Sequence, residues 1–324
     1  MGPRALVFWS AAAVVSTAAA VTASLEATDR IADAAQLDEP VFAELVAAPE
    51  NAAAIVVREG ETTIRVERGE EGWIVPDRWN YAADAEAVRA LVTGLADLRF
   101  AAPRTGLPER FARLEVDAPG PDSEAKRVTV EAGDGTVLAD AIIGKRSQAI
   151  TGTRRGTYLR LPAGEHAWLA SGTVDIATDV ADWLDTDLPS MDRDDLETLV
   201  VAPAEGEGFT VGRLEREDDL TLVDQVPAGR AADAAAIRRL ASVFDALRFE
   251  DLRPASEVDW PAPVTRLEAT AFDDATMTAE LATIGEDRWV RFGEEAAWVY
   301  RLPNFQVERM EVDLEDLLQA PEAS

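Results

Sequence analysis

The chain has no cysteine. That single absence excludes disulfide staples, thiolate metal sites and cysteine nucleophiles, and it suits a cytosolic or an exported protein equally. There is one histidine, His166, in the run GEHAWLA. A lone imidazole cannot serve as both metal ligand and base without partners, and no neighbour carries ligand spacing, so His166 reads as a strand-edge residue beside Trp168. No Gly-x-Ser-x-Gly turn occurs, which leaves a Ser–His–acid hydrolase without support. The Gly-Lys pair of IIGKRSQ (142–148) lacks the earlier glycine and the following hydroxyl of a phosphate loop. Positive charge is also scarce: 31 Lys and Arg stand against 61 Asp and Glu, a formal net charge of −30. Such a surface repels phosphate backbones, so nucleic acid is excluded as a partner. No catalytic, cofactor-binding or metal-ligating set emerges, and no cofactor is expected.

What is present begins with length. A chain of 324 residues with 47% hydrophobic content suffices for about two ordinary globular domains, each able to bury a core. After Arg4 no charged residue appears until Glu26. Ala5 to Leu25 would span about 30 Å as a helix, the thickness of a bilayer core. The stretch reads as a transmembrane anchor or, through the small residues near Ala20 and Ala23, as a cleaved signal peptide. Either reading exports the remainder, with Arg4 held inside.

The dominant internal signal is a repeat. AADAEAVRALVTGLADLRF (82–100) returns as AADAAAIRRLASVFDALRF (231–249), ungapped, with 10 of 19 positions identical. Val88, Leu91, Leu95 and Leu98 form one helical stripe, and Ile237, Leu240, Phe244 and Leu247 form its counterpart. Asp84 and Asp233 sit at the N-cap position of each. What repeats is therefore a buried stripe and a start signal, which makes the duplicated element structural. The flanks repeat as well. RVER (65–68) matches RLER (213–216), WIV (73–75) matches TLV (221–223), and ETLVVAP (197–203) stands where AAIVVRE (53–59) opens the first copy. Hairpin signals follow each helix, among them the GDG turn at 133–135. Between helix and hairpin the first copy inserts a short helix and a Pro/Gly loop, where the second has only ASEVDWPAP (255–263). Each copy ends on an acidic amphipathic segment, DVADWLDTDL (179–188) and VDLEDLLQ (312–319).

The expected architecture is α+β: two tandem duplicated lobes, each a mostly antiparallel sheet with an amphipathic helix packed on it, after the N-terminal helix. The expected bounds are 1–25 for the anchor or signal, 26–50 for a connector, 51–190 and 191–319 for the lobes, and 320–324 for a tail.

Two charge features stand out. Ala141 to Gly164 holds no acid but carries Lys145, Arg146, Arg154, Arg155 and Arg160. In so acidic a chain this inversion marks a candidate docking patch for an acidic partner surface or an anionic envelope ligand. The competing reading is a solvated hairpin whose bases pair within their own lobe, each pair worth about 0–1 kcal/mol. Eight aspartates between Asp175 and Asp195 could attract a hard cation, but they match no EF-hand spacing and read first as caps and a wet face. The tryptophans follow strands and turns and read mainly as core.

The series DEPVFAEL, IRVERGEEGWIVPD, DAEAVRALVTGLADLRF, ERFARLEVD, VLADAIIGKR, TYLRLPAGEHAWLA and DVADWLDTDL resembles domain-of-unknown-function family 4340, a group of bacterial envelope proteins. The resemblance implies a membrane-anchored protein, encoded beside ABC-transporter components of the gliding-motility type. It brings no catalytic residues. The expected function is thus a non-catalytic periplasmic accessory or scaffolding protein tethered to the inner membrane by a single N-terminal span. Its partners would be a membrane complex such as an ABC transporter permease or associated envelope proteins. The alternatives are a carboxylate-based enzyme acting on envelope polysaccharide and a periplasmic ligand-binding module using the groove between lobes.

Overall fold

In TTIRVER the residues alternate, and a strand turns such a run into two faces. Ile64 and Val66 are buried, while Arg65 and Glu67 stay on the wetter face and pair with each other. The same logic runs through both halves of the chain. The structure, a computed structural model, describes residues 36–148, 155–223, 226–227 and 229–320. The Ala5–Leu25 segment and Arg154 lie outside these. Among the described residues no helix is long and apolar enough to cross a membrane.

The protein is α+β, with two antiparallel sheets and few helices. It divides into two compact units. The first runs up to Asp77 and then from Ala82 to Trp183; the second takes Arg78–Tyr81 and the chain from Leu184. The main division thus falls shortly before the 190/191 boundary expected from sequence.

The first part of the chain holds α1 (Ala43–Ala47), β1 (Ala52–Glu59), β2 (Thr62–Arg68), β3 (Trp73–Val75), β4 (Tyr81–Ala82), α2 (Ala85–Ala96), β5 (Arg99–Pro103), β6 (Lys126–Ala132), β7 (Val137–Ser147), β8 (Gly156–Arg160) and β9 (Ala167–Ser171). The strand order is β4-β3-β2-β1-β6-β7-β8-β9-β5. The second part holds β10 (Leu196–Ala202), β11 (Phe209–Gly212), β12 (Thr221–Leu222), α3 (Ala234–Ala241), β13 (Asp251–Pro254), β14 (Thr265–Ala271), β15 (Thr276–Ile284), β16 (Asp287–Phe292), β17 (Trp298–Arg301) and α4 (Asn304–Met310). Its order, β12-β11-β10-β14-β15-β16-β17-β13, reproduces the first from β3 onward. In each sheet the strand that directly follows the helix crosses to the far edge. Neither β5 nor β13 was expected as a strand, because LRFAAP and FEDLRP carry little alternation. Their pairing with β9 and β17 supplies the signal instead.

Both helices start as their sequences require. The Asp84 carboxylate accepts from the amides of Glu86 (2.7 Å) and Ala87 (3.2 Å), and Asp233 accepts from Ala235 (2.8 Å) and Ala236 (3.2 Å). These bonds satisfy first-turn donors that have no partner within the helix. The cap amides are held alike: Asp84 donates to the Trp183 carbonyl at 2.9 Å and Asp233 to that of Leu317 at 2.7 Å. Each acceptor lies in a 3-10 turn, Val180–Trp183 or Leu314–Leu317, where the sequence suggested an amphipathic segment.

The two stripes are buried along their whole length, yet the helices differ. The first reaches Ala96; the second stops at Ala241, before Phe244 and Leu247. Gly94 sits in the last turn of α2, with a Val174 methyl carbon 3.3 Å from where a Cβ would stand. Its counterpart in the second copy is Val243, buried and larger, and the Ser242 hydroxyl donates back to the Arg239 carbonyl at 3.1 Å. A β-branched residue in a filled position and a serine competing for the backbone both favour an early stop.

The register corrects one sequence match. β1 and β10 each carry a bulge against the next strand, between Ala52 and Ala54 and between Leu196 and Thr198. From these landmarks Glu67 opposes Ala54, and Gly212 opposes Thr198. Arg213 therefore corresponds to Arg68, three residues further along than RVER/RLER suggested. The side chains agree: Arg68 Nε donates to the Ala52 carbonyl (3.3 Å) and Arg213 Nε to that of Leu196 (2.9 Å). By the same pairing Ile74 aligns with Thr221 and buried Val75 with buried Leu222, one residue away from the WIV/TLV match.

Candidate functional site

The charge-inverted stretch builds the hairpin β7–β8, where Arg146 faces Thr157 and Ser147 faces Gly156 across the ladder. Four of its five bases are described, and they do not form one patch. Lys145 and Arg146, both exposed, border a cleft of about 660 Å³ in the first unit, together with Glu59, Glu115, Glu124, Lys126 and Asp175. Arg146 forms an ion pair with Asp175, and Lys126 lies 3.5 Å from Glu59. Lys126 and Lys145 are the only lysines of the chain. Arg155 is exposed in a separate shallow hollow beside Asp97, Ser171, Gly172 and Thr173. Arg160 turns inward.

The cleft owes its floor to Gly144. A Cβ at this position would stand 2.1 Å from the Leu114 carbonyl oxygen and 2.8 Å from that of Glu115. The 3-10 turn Pro108–Leu114 ends there, with Glu115 in the left-handed region at φ 59°. The Gly-Lys pair is thus a packing device: glycine admits the neighbouring backbone and leaves Lys145 at the rim. Gly144→Ala is expected to cost about 3 kcal/mol, the upper range for overpacking, because the obstacle is backbone rather than a flexible side chain. A urea midpoint equal to that of the native protein would show that the turn yields freely.

Arg160 has a structural task that the sequence concealed. Its guanidinium lies 4.9 Å from the Phe111 ring centre, and Nε donates to the Val116 carbonyl at 2.8 Å. Burial pushes its pKa down, and the nearby Asp117 charge partly opposes that. Phe111 comes from the insertion after α2 and packs with Val116, Ala125, Ile142 and Ala167. The second unit repeats the arrangement with other residues. Ile142 opposes Arg160, and Glu280 opposes Arg291. Arg291 lies 4.9 Å from the Trp260 ring centre. The loop ASEVDWPAP thus delivers a ring to the place where the longer insertion delivers Phe111. Such stacks are worth about 0.5–2 kcal/mol, more where water is excluded.

The exception is Glu280, buried at 2% exposure where the first unit has Ile142. One carboxylate oxygen accepts from Arg266 Nε (3.1 Å) and Nη2 (2.5 Å). The other accepts from Trp260 Nε1 (3.1 Å) and Arg291 Nε (2.6 Å). Burial pushes the carboxyl pKa up, but the two arginines outweigh it and hold the group below the usual carboxylate range. In the first unit Arg127 occupies the position of Arg266 and forms a bidentate pair with Asp140 at 2.8 and 2.7 Å. All these polar atoms are occupied with one another. Their arrangement ties adjacent strands together.

A sequence model of the family described as "Domain of unknown function (DUF4340)" matches residues 73–273. The chain belongs to this family. The DUF4340 match runs from β3 to the turn after β14. It takes in the hairpin β7–β8, the Phe111 insertion and Gly144, and it stops short of Glu280 and Arg291. No curated protein and no solved structure matches the chain.

The remaining sequence candidates fall as follows. His166 packs against Gly106, where a Cβ would stand 2.9 Å from the imidazole Cδ2. Of the aspartates of 175–195, Asp179, Asp185 and Asp192 each accept an amide two residues on, Asp175 pairs with Arg146, and Asp195 pairs with Arg216. Among the described residues no three His, Asp or Glu side chains converge as a metal site. Trp183 and Trp289 are core, and Trp79 is exposed. Sequence reading missed a hollow of about 360 Å³ lined by Arg104, Thr105, Arg110, Arg113 and Leu114. Its signal was available in PERFAR, since residues three apart eclipse on a 3-10 helix.

Proposed function

We propose that the protein is a non-catalytic accessory or scaffolding component on the periplasmic side of the inner membrane, tethered through Ala5–Leu25 and serving an ABC-type transport or envelope-assembly system. In this reading the two units are copies of one ancestral module. Their common strand order, matching aspartate caps and paired Arg–ring stacks support that origin. Membership of the DUF4340 family agrees with an envelope role through the resemblance noted above.

The observation that carries the docking role is the exposure of bases along the rim of the β7–β8 hairpin, Lys145 and Arg146 at the cleft beside its four acids and Arg155 apart in its own hollow. Lys145, Arg146 and Arg155 stand on one hairpin of a protein with a formal charge of −30. Opposite-sign steering at such a rim speeds encounter and fixes orientation more than it raises affinity. Substituting Glu at Lys145 and Arg155 should abolish capture of the transporter permease from detergent-solubilised membranes while leaving the melting temperature unchanged. Undiminished capture of the permease by that variant would remove this rim from the account.

A second reading, a ligand-binding module, is favoured by the cleft itself, whose volume lies in the range of small-molecule sites. A small molecule retained through gentle purification and lost on Gly144→Ala would favour it over docking.

A further inference from the structure

We propose that the hollow lined by Arg104, Thr105, Arg110, Arg113 and Leu114 binds a phosphoryl group. The site belongs to the first unit and is separate from the rim of Lys145, Arg146 and Arg155. Three arginines border one depression of about 360 Å³. Among the described residues none of the three has a carboxylate within ion-pair distance. Acids are nonetheless close in sequence: Glu109 lies within the same turn, Glu115 directly after it and Asp117 two residues further on. In a chain with roughly two acids per base, three uncompensated arginines at one place repel one another and gain nothing for folding. An anion placed among them removes that repulsion.

Local structure explains the convergence. Pro108 starts the 3-10 turn Pro108–Leu114, and Arg110 and Arg113 are three apart on it, hence on one side. The turn is anchored from below by Phe111, buried against Val116 and Ala167, with Leu114 packed on the same cluster. Arg104 arrives from the end of β5. Its backbone is held by a bond from its amide to the Ala167 carbonyl (2.8 Å), and the Ala167 amide returns a bond to the Thr105 carbonyl (2.9 Å). The three arginines therefore project from backbone that is already fixed, and a ligand pays little to order it.

The donor set selects the ligand class. Each guanidinium offers a planar fork suited to two oxygens of one oxyanion. The Thr105 Oγ1 already accepts from the Leu107 amide at 3.1 Å, so its proton is left to donate. Arg104 Nη1 already donates to the Pro103 carbonyl at 3.4 Å. The forks of Arg110 and Arg113, the remaining Arg104 donors and a hydroxyl still exceed what a carboxylate with two oxygens can accept, and they match the three terminal oxygens and double charge of a phosphate monoester. Leu114 and the arginine stems give the hollow an apolar wall, which suits a phosphoryl group carried on a carbon chain. The overall −30 does not prevent this, because at physiological salt charges beyond about 8 Å are largely screened.

Two sources share this chemistry, a soluble phosphate monoester and the monoester headgroup of phosphatidic acid. The test uses the full chain. Inorganic phosphate and glycerol phosphate are titrated calorimetrically, and phosphatidic acid and phosphatidylcholine vesicles are offered in a flotation assay. Arg110→Gln with Arg113→Gln is the working variant. Arg89→Gln, an exposed arginine on α2, is the control. The expected result is saturable binding of a phosphate, weakened about tenfold or more for each arginine removed, with the control and the melting temperatures unchanged. Flotation with phosphatidic acid in excess of that with phosphatidylcholine, lost in the double variant, assigns the headgroup as source. Phosphate binding without that excess assigns the soluble ester. Absence of both phosphate binding and excess flotation, or their survival in the double variant, overturns the proposal.

Discussion

Replacing Phe244 by alanine is expected to destabilise the second unit by about 3–5 kcal/mol, the range for removing a buried aromatic ring and leaving the cavity behind. Phe244 is 2% exposed and continues the stripe of Ile237 and Leu240 past the end of α3, where the backbone no longer holds a helix. The ring is therefore fixed by packing alone. Urea unfolding of the full chain measures the cost as a lower midpoint at unchanged slope. A midpoint shift smaller than that of an ordinary surface substitution would mean that the stripe does not face the core. The matching residue Leu95, 1% exposed in the first unit, should cost about 2–5 kcal/mol on the same change.

Glu280→Ala is expected to be of comparable size, about 3–5 kcal/mol, through a different term. Removing one member of a buried ionic set leaves the others without compensation. Here Arg291 and the Trp260 indole lose their acceptor, and Arg266 keeps only its exposed partner Glu294. The position is not intrinsically ionic, since the first unit fills it with Ile142 and lacks the second arginine pairing. Glu280→Ile combined with Arg291→Leu should accordingly cost less than Glu280→Ala alone. The acid dependence has a definite sign. The folded-state pKa of Glu280 is depressed below its unfolded value, so its stabilisation is complete above about pH 4.3, the usual glutamate value. It is lost as the pH falls through the lower folded value. The alanine variant should lack that component, and the two unfolding curves should converge on acidification. A gap that stays constant with pH would show that Glu280 is not charged in the folded protein.

Periodicity and end signals were legible because they are local. The stripes of α2 and α3, the aspartate caps, the Gly135 turn and the α+β plan all follow from spacing within about twenty residues. The equal order of the two sheets accords with the repeat that the helices announced. Pairing was a different matter. RVER resembles RLER in letters, yet Arg213 does the work of Arg68, because strand register answers to partners far along the chain. The same limit hid β5 and β13, whose sequences hardly alternate and whose strand character comes from the edge they complete.

The charge reading met that limit at the candidate patch. Five bases in one acid-free stretch look alike as letters. Lys145 and Arg146 reach a cleft, Arg155 stands apart from them, and Arg160 is stacked beneath Phe111, which lies in an insertion 49 positions earlier in the chain. Conversely, Arg104, Arg110 and Arg113 drew no attention amid acids, and only folding brought them together with none of those acids in reach.

By itself the sequence determined the class of the fold, the doubled helix with its caps and buried stripe, and the absence of thiol chemistry, since each depends on composition or on neighbours along the chain. The tertiary structure alone decided which arginine answers which, why Gly144 must lack a side chain, and where charge is buried, paired or left open. Those outcomes depend on distances between residues remote in sequence, which packing sets and local propensity does not encode.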